Sequence, residues 1–140
     1  MENSKIAWTH HSFNPWIGCQ HVSPGCDNCY AERHWDLRFH RVKWGPRRPR
    51  IRTTEDYWKN PIRWNREADQ TGERFRVFCA SNADWLDNKA PRSWRDDLAQ
   101  LIHDTPNLDW LMLTKRIENF DKLAPWHRND VPSHVWIGVT

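Results

Sequence analysis

The second half of the chain alternates apolar runs with amphipathic segments. Three apolar runs of strand length lie at residues 75–81, 108–114 and 134–140. Helical patterns cover the stretch from Trp94 to about His103, where Ser93 can serve as the N-cap, and residues 117–123. Apolar strands that alternate with amphipathic helices are typical of βαβ units, so this half predicts a parallel sheet.

The first half of the chain is less regular. Residues 5–19 are expected to run extended into a cysteine-rich loop, and apolar positions at helical spacing predict a helix over residues 27–39. Prolines and six basic residues interrupt the pattern at residues 41–53, which we define as the basic arm. A short helix is predicted from Thr54 until it stops near Pro61.

Together these elements predict one α/β domain over residues 1–140. With one strand placed before Cys19, the chain supplies about four parallel strands and three main helices, a partial (βα) barrel of roughly half size. The content of 38% apolar and 28% charged residues agrees with a single core in a chain of 140 residues. A half barrel leaves strand edges uncovered, so we expect a homo-oligomer or a chain docked on a partner.

The amino-terminal residues bear on the compartment. They contain no apolar run long enough for a signal peptide or a membrane span, so a cytoplasmic protein without a membrane partner is expected. Thiols stay reduced in the cytoplasm, and four cysteines there indicate metal binding before disulfides.

Eleven tryptophans in 140 residues are an unusual number. Six stand in or beside apolar segments and are expected in the core or at its rim: Trp8, Trp16, Trp85, Trp94, Trp110 and Trp136. Four others stand among Arg, Lys, Asn and Pro: Trp44, Trp58, Trp64 and Trp126. These four are candidates either for a partner surface or for simple packing.

The strongest chemical signal is the spacing C-x6-C-x2-C formed by Cys19, Cys26 and Cys29. Three thiolates suit a cubane iron–sulfur cluster with one iron left open. A closed zinc site would need a fourth ligand, for which the candidates are His10, His11, His21 and Cys79. Free thiols or a local disulfide, with no metal, form the third interpretation.

Four segments of the sequence carry a family resemblance: Ile6-Ala-Trp-Thr9, Phe13-Asn-Pro-Trp-Ile-Gly-Cys19, Ser23-Pro-Gly-Cys-Asp-Asn-Cys-Tyr-Ala-Glu-Arg33 and Leu111-Met-Leu-Thr-Lys-Arg116. They resemble the phage-associated three-cysteine-motif family, which is described as radical SAM-like. This chain is similar to the N-terminal part of that family and is shorter. The resemblance implies a 4Fe-4S cluster held by Cys19, Cys26 and Cys29, with S-adenosylmethionine on the open iron.

Ligands of α/β folds gather at the carboxyl ends of the strands. There Lys115 and Arg116 can clamp a carboxylate or phosphate, and Asp84 can accept hydrogen bonds from an amine or a ribose. By the resemblance, these residues would serve the methionine and ribose parts of S-adenosylmethionine. The simpler alternative is that Asp84 caps the following segment and that Arg116 forms a surface ion pair.

The basic arm is the candidate partner-binding segment, through Arg41, Lys43, Trp44, Arg47, Arg48, Arg50 and Arg52. Phosphates attract such a segment, and a tryptophan between the charges offers a stacking surface for an unpaired base. An acidic host protein would suit it equally well, and a solvated loop is the alternative. The whole chain has a net charge of only +3, which by itself does not indicate nucleic-acid binding.

Two classes of function follow. The sequence contains no H-E-x-x-H helix, G-x-S-x-G elbow or phosphate-binding loop, and no catalytic residue can be assigned. The first class is a radical SAM-like iron–sulfur enzyme whose substrate the sequence does not name. The alternative is a non-catalytic phage anti-defence inhibitor, similar to an anti-CRISPR protein. It would act in the host cytoplasm through the basic arm and exposed tryptophans, and the shortness of the chain favours it.

Overall fold

A computed structural model describes residues 3–140 of the chain. It contains six strands: β1 (His11–Phe13), β2 (Trp16–Ile17), β3 (Ile51–Arg52), β4 (Phe75–Cys79), β5 (Leu108–Thr114) and β6 (Val135–Val139). Four of them form one parallel sheet in the order β1-β4-β5-β6. The other two, β2 and β3, pair antiparallel. The predicted α/β class with a partial, barrel-like parallel sheet of four strands is confirmed.

The register of the sheet brings the strand ends level with one another. Phe13, Cys79, Met112 and Ile137 lie in one row across the four strands. Alternate residues of β5 are buried, from Leu108 to Thr114, and this face packs against the main core. Consecutive strands are neighbours in the sheet, as in a (βα) barrel, so their carboxyl ends open on the same side.

Five α-helices connect the strands: α1 (Tyr30–Glu32), α2 (Glu55–Trp58), α3 (Asn60–Thr71), α4 (Arg92–His103) and α5 (Phe120–Leu123). A π-helical segment, Arg33–Arg38, continues α1, so the predicted helix over residues 27–39 begins later and has a wider second part. In residues 3–140 no helix has the length and apolar character that crossing a membrane requires.

The predicted short helix from Thr54 is confirmed, because Thr54 is the N-cap of α2 and α2 ends at Trp58, shortly before Pro61. The helix that follows, α3, is not predicted. Pro61 lies in the first turn of α3, where its missing N–H has no helical partner to lose, and α3 runs on for 12 residues. Similarly, α4 begins at Arg92 after Pro91 rather than being capped by Ser93.

Burial decides between the two interpretations of Trp58 and Trp64 and contradicts the prediction for Trp136. Trp58 and Trp64 are buried, at 8% and 0% exposure, so they are core residues and not a partner surface. Trp64 and Ala68 lie four residues apart on the buried stripe of α3. This helical spacing is missed when Pro61 is taken as the end of a helix. Trp126 is partly buried against Trp85. Trp136, predicted in the core or at its rim, is 61% exposed.

The basic arm is not uniformly open. Arg50 is buried and its Nε donates to Asp87 at 2.5 Å, while its Nη1 donates to the carbonyls of Gly45 and Arg48. Arg52 belongs to β3, and its guanidinium lies 3.9 Å from the ring centre of Trp58. A buried guanidinium requires a carboxylate partner, and Asp87 supplies it. The end of the arm is therefore part of the fold.

Candidate metal and cofactor site

A cavity of about 300 Å³ opens at the carboxyl ends of the parallel strands. Its lining includes all six residues predicted from the cysteine motif and the strand ends: Cys19, Cys26, Cys29, Asp84, Lys115 and Arg116. Trp44 of the basic arm and Thr140, just beyond β6, also line it. The structure thus brings Cys19 and Arg116, which are 97 positions apart in the chain, to the same cavity.

The cysteines reach the cavity through a loop that follows β2. Gly18 turns the chain with a φ of +114°, and a Cβ atom there would lie only 3.2 Å from the Arg50 side chain. A 3-10 turn over Pro24–Cys26 follows, and Cys29 stands at the N-cap position of α1. The loop therefore presents Cys26 and Cys29 together at the start of a helix.

Cys19 is held by Arg116. The Arg116 Nη1 donates to Cys19 Sγ at 3.2 Å, and its Nη2 donates to the carbonyl of Gln20 at 2.9 Å. Burial raises the pKa of the Cys19 thiol, and the Arg116 charge and hydrogen bond offset part of that rise. Cys19 is thus a thiol with a cation already in place beside its sulfur.

Cys26 differs from Cys19 in its electrostatic surroundings. Burial acts to raise its pKa, but hydrogen bonds from Val22 and Ser23, together with the charge of Lys115, lower it overall. Cys26 is therefore the thiol of the pair that ionises more readily. Among residues 3–140, no three His, Cys, Asp or Glu side chains are grouped closely enough to hold a single metal ion. The cysteines of a cubane cluster stand farther apart, since each binds a different iron.

Asp84 and Arg116 form a buried ion pair at 3.2 Å. Asp84 Oδ1 accepts from the Thr114 hydroxyl at 2.7 Å and from the Leu86 amide at 3.0 Å, and Oδ2 accepts from the Lys115 amide at 2.8 Å. Asp84 thus ties the end of β5 to the segment after β4. The capping role considered for Asp84 is observed, and the Arg116 ion pair is buried and not on the surface.

Lys115 is the strand-end cation that takes no part in the Asp84–Arg116 ion pair. Its side chain is half-buried on the cavity wall and approaches the cysteine loop at Gly25, where a Cβ atom added to the glycine would lie 3.5 Å from Lys115 Cε. No carboxylate within residues 3–140 lies within ion-pair distance of its ammonium group. Lys115 is accordingly the better placed of the two strand-end cations for an anionic ligand.

A buried charge cluster, which the sequence pattern does not predict, lies behind the cavity. Asp87 accepts from Arg50, and the Asp87 backbone carbonyl accepts from Arg95 at 2.8 Å. With the Asp84–Arg116 pair, this cluster contains three guanidinium groups and two carboxylates, all buried. Of these groups, Arg116 lowers the pKa of Cys19, while the charges of Asp84 and Asp87 raise it. The signal that the sequence offers is the pair of acids three residues apart in Asp84-Trp-Leu-Asp87.

The candidates for a fourth zinc ligand lie elsewhere. His10 accepts from the Arg76 amide near the start of β4, and His11 stacks on Trp64. His21 is exposed and contacts Glu32 at 2.6 Å. Cys79 is fully buried within β4, and burial strongly raises its pKa, as expected for an inert thiol. None of these four side chains lines the cavity.

Fold and site together define an α/β protein with a parallel, barrel-like sheet and a thiol-lined cavity at the carboxyl ends of its strands. The family described as "Protein of unknown function (DUF5131)" matches residues 3–140, and the chain belongs to this family. No curated protein and no solved structure matches the chain.

Proposed function

We propose that the protein is a radical SAM-like iron–sulfur protein. In this proposal Cys19, Cys26 and Cys29 hold a 4Fe-4S cluster, and S-adenosylmethionine binds its open iron. The observation that carries the proposal is the presence of all three thiols, with Lys115 and Arg116, on one cavity at the carboxyl ends of the strands.

The donor set supports a cluster with an open iron more than a closed zinc site. Three soft sulfur atoms lie on one short loop, and the histidines and the fourth cysteine that would complete a zinc site lie outside the cavity. A bound cluster would supply one-electron chemistry, and the charges of Arg116 beside Cys19 and of Lys115 near Cys26 favour the thiolate form of these two ligands.

The residues of this chain have distinct roles in the proposal. Arg116, held by Asp84, orients the Cys19 sulfur through the hydrogen bond at 3.2 Å. Lys115 offers a charge to the carboxylate of the cofactor. Trp44 and Tyr30 line the cavity with aromatic rings that can pack against the cofactor.

The second candidate function is a non-catalytic anti-defence inhibitor. The observation in its favour is the group of exposed arginines in the basic arm, Arg41, Arg47 and Arg48, for which no carboxylate partner exists within residues 3–140. An acidic surface of a host protein would complement them. This candidate requires no iron.

Purification without oxygen, followed by iron, sulfide and zinc analysis, tests the proposal. We expect about four irons and four sulfides per chain, as a cubane requires. Addition of S-adenosylmethionine should change the paramagnetic resonance spectrum of the reduced protein. A folded protein that contains stoichiometric zinc and no iron, or no metal at all, would reject the iron–sulfur proposal.

A further inference from the structure

A second concave surface adjoins the cysteine cavity. It is a groove of about 580 Å³ between the helix that begins at Tyr30 and the antiparallel pair of β2 and β3. Its walls are mainly apolar and aromatic, and include Ile17, Trp35, Ile51 and Tyr57. The volume is in the range of ligand pockets that hold a molecule the size of a nucleotide.

The aromatic rings of the groove are surfaces on which a planar ligand can stack. Trp35 and Tyr57 both line it. Aromatic walls with a polar group at the edge of a ring suit a nucleobase.

Charge is unevenly distributed along the chain, and the most basic stretch contributes His34, Trp35, Ile51 and Arg52 to the groove lining. Residues 33–52 contain eight basic residues and one acidic residue, a net charge of +7 against +3 for the whole chain, so the rest of the chain is net acidic. Five of these arginines are exposed and have no carboxylate partner within residues 3–140: Arg33, Arg38, Arg41, Arg47 and Arg48. Such a concentration of unpaired guanidinium groups is typical of a surface that contacts several phosphates.

Tyr30 separates the groove from the cysteine cavity. Tyr30 and Ser81 line both spaces, and the Tyr30 hydroxyl donates to the Ser81 carbonyl at 3.1 Å. The Tyr30 side chain is 59% exposed, so it can move without disturbing the core. A base in the groove would therefore lie next to the site proposed for the cluster.

We propose that this groove binds one unpaired nucleotide of a nucleic-acid strand, whose flanking phosphates lie on the exposed arginines of residues 33–48. A base can enter the groove only when it is outside a stacked duplex, so the strand is single or locally opened. This proposal rests on the radical SAM-like function proposed above, because it names the class of substrate for that function.

The proposal can be tested by fluorescence anisotropy with labelled DNA and RNA strands of 12 nucleotides and with the matched duplex. The single strands should bind at least tenfold more tightly than the duplex, and affinity should fall steeply as salt rises. The double substitution Arg47→Glu/Arg48→Glu should weaken strand binding by about tenfold or more. The control pair Arg66→Glu and Lys122→Glu makes the same charge change on the exposed faces of α3 and α5 and should leave affinity within about twofold.

Two groove variants separate base recognition from charge attraction. Trp35→Leu should weaken single-strand binding by roughly tenfold through lost stacking, with duplex binding unchanged. Ile51→Glu places a carboxylate at the groove rim on a side chain that is 45% exposed, so it tests the same surface if Trp35→Leu does not fold. Equal affinity for single strand, duplex and heparin, or full binding by both groove variants, would overturn the proposal.

Iron measured on the same samples keeps the two proposals apart. Protein that contains the cluster but binds no strand overturns the nucleotide proposal alone. Protein that binds single strands with the expected groove dependence but contains no iron leaves the nucleotide proposal standing and rejects the iron–sulfur function. Capture of an acidic protein through Arg47 and Arg48, without strand binding, would overturn the nucleotide proposal and support the inhibitor instead.

Discussion

Removing the carboxylate of Asp84 is the perturbation whose effect the structure defines best. Both carboxylate oxygens of Asp84 accept hydrogen bonds. Oδ1 accepts from the Thr114 hydroxyl and the Leu86 amide. Oδ2 accepts from the Lys115 amide and forms the ion pair with Arg116. The Asp84 and Arg116 side chains are 6% and 3% exposed. Asp84→Ala would therefore leave a guanidinium buried without its carboxylate, together with unsatisfied backbone and hydroxyl donors.

Loss of one partner from a buried ion pair costs about 3–5 kcal/mol, and we expect Asp84→Ala to lower the free energy of unfolding by about that amount. This is a large part of the roughly 5–15 kcal/mol that stabilises a typical domain. The double variant Asp84→Ala/Arg116→Met removes the orphaned charge, so it should be less destabilised than the sum of the single variants by about 1–3 kcal/mol.

Urea unfolding followed by circular dichroism measures these differences. Asp130→Ala is the matched control, because Asp130 is exposed and the same substitution there should change stability by at most about 0.5 kcal/mol. A loss below about 1 kcal/mol for Asp84→Ala, or strict additivity in the double variant, would show that Asp84 and Arg116 are not a coupled buried pair.

Three further predictions concern the thiols and the sheet edge. In metal-free protein at neutral pH, iodoacetamide should modify Cys26 before Cys19 and leave Cys79 unmodified, because the pKa of Cys26 is lowered and the pKa values of Cys19 and Cys79 are raised. The folded-state pKa of Cys79 lies above the unfolded thiol value of 9.0, so its burial favours the folded state below pH 9.0, and the free energy of unfolding should fall as the pH rises above that value. Mass spectrometry measures the order of alkylation, and unfolding at several pH values measures the loss of stability. Early alkylation of Cys79 would contradict both predictions. No strand in residues 3–140 pairs with the outer edge of β6, and Trp136 on that strand is 61% exposed, so we expect self-association that Trp136→Lys weakens. Light scattering that finds a monomer at all micromolar concentrations would reject this expectation.

The regular second half of the fold can be predicted from the sequence because its strands are apolar runs. The sequence predicts β5 with its observed bounds, and the sheet of four parallel strands follows from the alternation with helices. The helix α3 is not predicted, because Pro61 is taken as the end of a helix. A proline in the first turn of a helix costs no hydrogen bond, and Pro61 lies in that position.

Local patterns predict where the site lies but not how its charges pair. The rule that ligands gather at strand ends leads to Asp84, Lys115 and Arg116, and the structure places all three on the cavity with the cysteines. That Arg50 belongs to the interior cannot be predicted, since its partner Asp87 is 37 residues away and nothing local distinguishes Arg50 from the exposed arginines beside it.

The iron content of single cysteine variants tests the central claim most directly. Cys19→Ala, Cys26→Ala and Cys29→Ala, purified without oxygen beside Cys79→Ala, should each lose most of the iron that the unchanged protein contains, because each removes one of three ligands. Cys79→Ala should keep about four irons per chain, since Cys79 lies inside β4 and outside the cavity lining. Equal iron in all four variants, or loss of iron only on removal of Cys79, would contradict the assignment of the cluster to this cavity.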